Sequence, residues 1–231
     1  MPLPGPSDLL QSACALQRLC PAGCEGARTR ARSCERRVSL LEADLAHLRE
    51  GDEESRQAAA ERLAQAGKAA LPGLMEALRH PDADVRWWAA WALAGIPDGA
   101  AVSALMAALD DADASVRACI ALALGQQGDP AAIDPLLALL DDPDMMVNAS
   151  AMAALVQIGP QAAPGLIATL QSGSPTARMR AAQALVPLRL QAAIPALFAA
   201  LEDDNPSVRH YAEEALERLG VGLTIVSPGW A

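Results

Sequence analysis

Few residues of this chain could do chemistry, and the first to consider are its three histidines, His47, His80 and His210. None of them is followed by glutamate, and a di-iron centre needs several histidine or carboxylate ligands that converge. Glu213 and Glu214 are adjacent, so on a helix they point in different directions and form no acid–base pair. The sequence contains no serine–histidine–aspartate order, phosphate-binding loop or dinucleotide-binding glycine motif. We therefore predict no catalytic residue.

Four of the five cysteines lie within the first 37 residues, at positions Cys14, Cys20, Cys24 and Cys34. Their spacing fits neither a zinc ribbon, which has paired C-x2-C motifs, nor a ferredoxin loop. A metal or cluster site and a redox disulfide both stay open. The simplest interpretation is a poorly ordered leader, residues 1–37, rich in cysteine, arginine and proline. We predict no metal site and no cofactor for the chain.

Three of the four tryptophans, Trp87, Trp88 and Trp91, crowd into five residues. Trp87 and Trp91 are four residues apart and therefore neighbours on a helix. Tryptophan is enriched at the energetic hot spots of binding surfaces, which points to a partner-binding patch. The alternative, strongest for Trp88, is that the rings pack along a neighbouring helix and fill gaps left by alanine.

The elements that carry these residues repeat along the chain. Six segments with the apolar spacing of a short amphipathic helix end in a leucine, and successive leucines are 30 or 31 residues apart. Four residues after each leucine stands a residue type that caps helix N-termini. The leucines are Leu48, Leu78, Leu109, Leu140, Leu170 and Leu201, and the caps are Asp52, Asp82, Asp113, Asp144, Ser174 and Asn205.

Each unit therefore predicts a helix, a short turn and a second helix. Pro175 and Pro206 follow two of the caps, at a helix position where a missing N–H costs nothing. Glycines that would terminate the second helices follow at Gly67, Gly95, Gly125, Gly159 and Gly220. One such hairpin cannot bury its apolar face alone, so we expect six to stack into one continuous core.

The bulk composition agrees with stacked helices and restricts the partners. The chain is 52% hydrophobic but 3% aromatic, because alanine and leucine, both strong helix formers, dominate its apolar content. A net charge of −10 disfavours binding to phosphate backbones, so we predict no nucleic-acid partner. No run of 18 apolar residues predicts a membrane span, and no secretory signal is evident. We therefore expect a cytoplasmic location.

The run DADVRWWAAWALAG from Asp82 to Gly95 resembles the HEAT repeat, and the short period is similar to the bacterial HEAT-like type found in phycobilin lyases. The resemblance covers about 180 of the 231 residues. It implies an all-α, right-handed α-solenoid of about six hairpins over residues 38–220. Residues 221–231 are then expected to cap the last hairpin.

The resemblance also implies roles for residues of the second helices. Arginines early in these helices would pair with turn aspartates in a structural ladder, which Asn148 interrupts. The ladder residues predicted are Arg56, Arg86, Arg117, Arg178, Arg209, Asp82, Asp113 and Asp144. Second helices line the concave face of HEAT-like solenoids, and the positions one and five after the arginine should be most exposed there. The partner-binding residues predicted are Trp87, Trp88, Trp91, Leu122, Met179 and His210.

We therefore predict a scaffold or adaptor that binds a peptide or helix of another protein in a concave groove. The expected ligand has apolar anchors and basic flanks. The alternative is a HEAT-like lyase or maturation factor that handles a bilin or another cofactor on a partner protein. A deoxyhypusine-hydroxylase-like activity is disfavoured because the His-Glu dipeptides of that family are missing.

Overall fold

A computed structural model describes the backbone of residues 25–221 and the side chains of residues 36–221. Within this part of the chain every regular element is a helix and no strand occurs. This confirms the predicted all-α fold class. The predicted leader cysteines Cys14, Cys20 and Cys24, and residues 222–231 of the predicted cap, lie outside the described residues, as does the side chain of Cys34.

The helices form six consecutive pairs, each a helical hairpin made of a first and a second helix. Single 3₁₀ turns at Gly67–Ala70, Pro130–Ala132, Pro160–Ala162 and Gln191–Ala193 lead into four of the first helices, and another, Leu139–Asp141, follows α7. The hairpins are α1 (Glu25–Glu50) with α2 (Glu53–Ala66), α3 (Leu71–Ala77) with α4 (Ala83–Ala94), α5 (Gly99–Ala107) with α6 (Ala114–Gln127), α7 (Ile133–Ala138) with α8 (Met145–Ile158), α9 (Ala163–Ser172) with α10 (Pro175–Leu188), and α11 (Ile194–Ala200) with α12 (Pro206–Arg218).

Helix α1 begins before the predicted start of the repeats. The sequence placed the end of the leader at residue 37, and that position lies inside α1. The arginine-rich run from Arg28 to Arg37 therefore belongs to the first helix, because arginine and alanine are both favourable helix residues.

All six predicted caps begin second helices. Each has extended backbone, and its side-chain oxygen accepts a hydrogen bond from an amide in the first turn. Asp144, for example, accepts from the amides of Met146 at 2.7 Å and Val147 at 3.3 Å. These bonds satisfy amides that have no partner inside the helix, which fixes where each second helix starts.

The glycines end the second helices as predicted, with one correction. Gly125 lies inside α6, and the residue that closes this helix is Gly128, whose φ of 67° suits glycine. Gly125 is instead buried against α8, where an added Cβ atom would lie 2.6 Å from the Cα of Ala154. The absence of a side chain at Gly125 therefore allows two second helices to approach closely.

Contacts divide the chain into two compact units, one up to Ala101 and one from Val102. In the first unit, α2 packs on α4, and α1 contacts α3. In the second unit, α6, α8, α10 and α12 pack in succession, and so do the first helices α7, α9 and α11. Leucines at equivalent positions, such as Leu63, Leu93, Leu124 and Leu155, are fully buried. Each unit is thus built of stacked hairpins, the organisation of an α-solenoid.

Candidate partner-binding surfaces

The three clustered tryptophans stack edge to face along α4, in the first unit. The ring centroids of Trp87 and Trp88 are 4.8 Å apart, and those of Trp88 and Trp91 are 5.9 Å apart. Such T-shaped pairs stabilise one another beyond the area they bury. Trp87 and Trp88 are half-buried, whereas Trp91 remains 38% exposed. The ring of Trp91 is therefore the most exposed of the three, and it packs against Trp88, which in turn packs against Trp87.

The other predicted partner-binding residues belong to the second unit. Leu122 on α6 is 43% exposed, which is unusual for a leucine in the middle of an apolar helix. Met179 on α10 is half-buried. His210 on α12 is exposed, and its ring lies 5.4 Å from that of Tyr211.

A groove of about 510 Å³ crosses three successive second helices of the second unit. Its apolar lining is Met152, Val156, Val186 and Tyr211. The remaining residues occupy equivalent places, five and nine positions after the arginine or asparagine of the ladder. These are Ala153 and Gln157 on α8, Gln183 and Pro187 on α10, and Glu214 and Arg218 on α12.

The groove uses the row five positions after the ladder residue, where Trp91 and Leu122 also stand in the other second helices. The second row of the groove lies nine positions after the ladder residue, whereas the predicted rows lie one and five positions after it. Met179 and His210 belong to the row at position one and do not line the groove. The rows at positions one and nine each lie one helical turn from the row at position five. Of these two, only the row at position nine lines the groove.

Three polar side chains of the groove are engaged in hydrogen bonds. Arg218 donates to Glu214 across one helical turn, at 2.7 Å. Gln183 accepts a hydrogen bond from Arg180 at 3.0 Å. With its one acid and one base paired, the groove presents a mainly apolar floor edged by amide and hydroxyl groups.

Arg117 and Arg178 bind carboxylates of the following hairpin, but these carboxylates are not the predicted Asp113 and Asp144. Arg117 makes two hydrogen bonds with Asp142, at 2.9 and 3.0 Å, and Arg178 makes two with Asp203, at 2.7 and 3.0 Å. Asp113 and Asp144 serve as helix caps instead. The partner carboxylate stands two residues before the cap, where it also accepts the amide of the cap residue.

In the first unit the ladder is formed differently. Arg56 donates to Asp82 at 2.9 Å and to Asp84 at 3.2 Å, because the position two before the Asp82 cap is His80. Arg86 donates to the carbonyls of His80 and Pro81, each at 2.9 Å. Arg209 at the end of the series donates to two turn carbonyls, those of Asp203 and Asp204.

The gap in the ladder at Asn148 is filled from the next hairpin. Asn148 is buried, donates to the Asp142 carbonyl at 3.1 Å and accepts from Arg180 at 2.9 Å. Asn148 is neutral and cannot form an ion pair as the ladder arginines do. At this position Arg180 of the next hairpin supplies the cation, which binds Asn148. The sequence signal for it is an arginine two positions after the ladder arginine Arg178, where the other second helices have Ala, Trp, Cys, Ser or Tyr.

The ladder predicts how stability depends on pH. Hydrogen bonds from Arg178 lower the pKa of Asp203 most, burial opposes them, and the Asn205 amide lowers it further. A lowered folded-state pKa means that the stabilisation is fully present above the ordinary value of 3.8 and is lost as the pH falls through the lowered value. In wild type, we expect the urea concentration at the unfolding midpoint to decrease as the pH is lowered below 3.8. The fall should be smaller in Arg178→Met; an equal fall would show that the pair is not responsible.

The described residues offer no constellation for catalysis or metal binding. No group of three or more metal-ligating side chains occurs among them. Burial raises the pKa of the Cys119 thiol to about 12, so it supplies no thiolate at neutral pH. Nδ1 of His80 accepts the backbone amide of Asp82 at 3.1 Å, which gives this histidine a structural contact.

No single helix in the described part of the chain is long and apolar enough to cross a membrane. One bent pair, Met145–Ile158 with Pro160–Ser172, reaches the required length and composition only when both helices are taken together across a 114° bend.

Several solved structures are similar to this chain. The archaeal HEAT-like repeats protein from Thermococcus onnurineus NA1 is 18% identical, with 79% of each chain covered and a TM-score of 0.53. Human deoxyhypusine hydroxylase is 23% identical over 78% of this chain and 85% of that one, with a TM-score of 0.43. The complex of CpcE and CpcF of phycocyanin lyase from Nostoc sp. PCC7120 is 23% identical over 94% and 88%, also with a TM-score of 0.43. At such identities the likeness concerns the fold.

Family comparison identifies the repeats themselves. No curated protein matches the chain. The family model for HEAT repeats matches residues 41–118, 71–156, 102–172 and 163–222, which together cover most of the sequence. These matches confirm the resemblance drawn from the Asp–Val–Arg pattern, and the chain belongs to the HEAT-repeat family.

Proposed function

We propose that the chain is a non-catalytic scaffold that binds a partner protein along its second helices. The observation that supports this best is the groove over α8, α10 and α12, because equivalent residues of three successive hairpins form it. Its volume of about 510 Å³ lies in the range of about 300–1,000 Å³ typical of clefts that bind drug-sized ligands. A surface built by repetition suits a linear partner that spans several hairpins.

The chemistry of the groove indicates the kind of segment it accepts. Met152, Val156 and Val186 offer apolar contact, and methionine adapts to varied partner side chains. Gln157 and Gln183 carry amides that can bind the main chain of a peptide. Tyr211 adds a rigid ring with a polar hydroxyl, a combination enriched in binding hot spots. We expect a segment with two or more apolar anchors, and basic flanks that match the net charge of −10.

Filling the groove is expected to weaken binding of the partner peptide. Ala153→Arg places a long cation on the groove floor, and we expect it to weaken peptides selected by wild type at least tenfold, about 1.4 kcal/mol. The measurement is selection from a displayed peptide library, followed by titration of the enriched peptides. Ala168→Arg, on an exposed position of the first helix α9, is the matched control and should bind like wild type. Equal affinity in Ala153→Arg would eliminate the groove.

The tryptophan cluster is tested with the same peptides. If Trp87 and Trp91 also contact the partner, the double variant Trp87→Ala/Trp91→Ala should lose on the order of 2 kcal/mol of binding free energy. Unchanged affinity in this double variant would leave the cluster a packing role in the first unit. A scaffold should leave the covalent mass and absorbance of its partner unchanged, whereas a lyase or maturation factor would alter one of them.

A further inference from the structure

The first turn of α8 carries two exposed apolar residues, Met145 and Met146, which we call the methionine pair. Met145 is 75% exposed and Met146 is 59% exposed. In the described part of the second unit, the next most exposed large apolar residue is Leu122, at 43%. The pair lies outside the groove. The first groove residue of α8, Met152, stands seven residues after Met145, which is about 10 Å along the helix axis.

The hairpin does not need apolar residues at these two positions. Helix α8 starts on the bonds from the amides of Met146 and Val147 to the cap, Asp144, and the methionine side chains take no part in them. Apolar groups stabilise a fold when they leave water, and these two remain in it. The other second helices carry small, polar or proline residues at the equivalent positions. These are Glu53 and Glu54, Ala83 and Asp84, Ala114 and Ser115, Pro175 and Thr176, and Pro206 and Ser207.

Negative charge borders the methionine pair. Its own turn holds Asp141, Asp142 and the cap Asp144. Two hydrogen bonds from Arg117 to Asp142 join this turn to α6. Across residues 110–117 and 141–148, Arg117 is the only basic residue and six residues are aspartates. The three aspartates in the turn before α6 are Asp110, Asp111 and Asp113.

These two features together define the chemistry of an occupant. Methionine side chains adapt to varied apolar partners. The carboxylates attract cations and repel nucleic acids, anionic membrane surfaces and acidic proteins. A second copy of this chain, with a net charge of −10, is disfavoured for the same reason. A basic amphipathic helix matches both features, because it presents an apolar stripe bordered by lysine or arginine.

We propose that the methionine pair and the carboxylates beside it form a second docking site, which binds a basic amphipathic helix of another protein. The apolar stripe of that helix covers Met145 and Met146, and its cations lie against the aspartates of the two turns. This site is separate from the groove, so a partner can bind it whether or not the groove is occupied.

NMR of protein labelled at the methionine methyl groups tests the site directly. The probe is a short helical peptide of leucine and lysine, and its counterpart has glutamate in place of lysine. Met145→Leu and Met146→Leu assign the two signals. We expect the lysine peptide to shift both signals while the signal of Met152, in the groove, stays in place. The glutamate peptide should shift neither signal of the pair.

Three results would overturn the proposal. Equal shifts with both peptides would show that charge plays no part in the binding. Shifts that appear first at Met152 would place the lysine peptide in the groove instead. Signals of the pair that move on dilution, with no peptide present, would show that a second copy of the chain occupies it. Because Met152 reports on the groove, the outcome for this site is independent of the outcome for the groove.

Replacing the methionine pair measures its contribution to affinity. Met145→Ala/Met146→Ser gives α8 the two residues that α6 carries at the same place. We expect the lysine peptide to bind about tenfold more weakly. The unfolding midpoint should stay unchanged, because both methionines are exposed. Unchanged affinity for the lysine peptide in this variant would contradict the proposal.

Removing two exposed charges tests the role of the turns. Asp110→Asn/Asp141→Asn should weaken the lysine peptide severalfold and reduce the salt dependence of its binding. Asparagine at position 141 keeps an oxygen for the hydroxyl of Ser174. The matched control, Asp134→Asn/Glu217→Gln, removes two exposed charges on α7 and α12 and should bind like wild type. An equal loss in both variants would show that the overall charge, rather than the two turns, attracts the peptide.

Discussion

Replacing Gly125 with leucine is expected to lower the free energy of unfolding by about 3 kcal/mol, the upper part of the range for overpacked cores. Even the first atom of the new side chain would lie 2.6 Å from the Ala154 Cα and 2.8 Å from its Cβ. The obstacle is the backbone of α8, which cannot move aside as a flexible side chain could. The two second helices would have to separate along their length. Urea denaturation followed by circular dichroism measures the loss.

Gly99→Leu is the matched control for this substitution. Nothing lies within 4 Å of a Cβ atom added at Gly99, so the same change of residue meets open space. We expect its urea midpoint to stay within experimental error of wild type or to rise, because leucine favours helices more than glycine does. A Gly125→Leu protein as stable as the control would mean that α6 and α8 do not pack as described.

Replacing Arg117 with methionine is expected to cost about 2 kcal/mol of stability. Its side chain is 16% exposed and that of Asp142 is 7% exposed, so removal of the cation leaves a nearly buried carboxylate without its main partner. The lost guanidinium also donates to the carbonyl of Asp111 at 2.8 Å. Methionine keeps the apolar stem, which limits the loss to the polar interactions.

The double variant Arg117→Met/Asp142→Asn isolates the ion pair from the rest of the turn. Asparagine retains an oxygen to accept the Asp144 amide, which Asp142 now binds at 2.8 Å. With neither charge present, part of the stability should return, and a double-mutant cycle should give a clear coupling energy. The pair of Arg49 and Glu76, whose side chains are 34% and 56% exposed, is the comparison, since surface pairs contribute little. Zero coupling between Arg117 and Asp142 would contradict a structural ladder.

The hairpins were predictable because their signals are local. The leucine positions, the six caps and the prolines act within one turn of their own helix, so residue types at fixed spacing were enough to place them. The glycine at the end of α6 shows the limit of such signals. Gly125 and Gly128 both stand near that end, and only the contact of Gly125 with Ala154 in another hairpin separates their roles.

The ladder contacts were less predictable because they join residues about one repeat apart. Asp142 and Asp144 flank Pro143 in the same turn, and the sequence does not reveal which carboxylate reaches Arg117 and which caps α8. The substitution of Asn148 for arginine indicated a missing rung. Its replacement by Arg180 depends on how α8 and α10 pack against each other.

The sequence predicted a surface on the second helices and the row five positions after the ladder residue, but none of the six predicted partner-binding residues lines the groove over α8, α10 and α12. Helical spacing places positions one, five and nine after the ladder residue on one ridge. Which part of the ridge is recessed depends on the angle between successive hairpins, and a single sequence does not specify that angle. Tyr211 was missed for the same reason; it stands at the position of Arg180, two after the ladder residue, and Arg180 reaches the preceding hairpin at Asn148.

The most direct test of a binding row formed by equivalent second-helix positions is NMR chemical-shift mapping with a library-selected peptide. We expect the perturbed amides to follow the groove across three hairpins, at Ala153, Gln183 and Glu214. The amide of Ala168 on the first helix α9 should be unaffected. Perturbations concentrated on the first helices, or confined to a single hairpin, would contradict it.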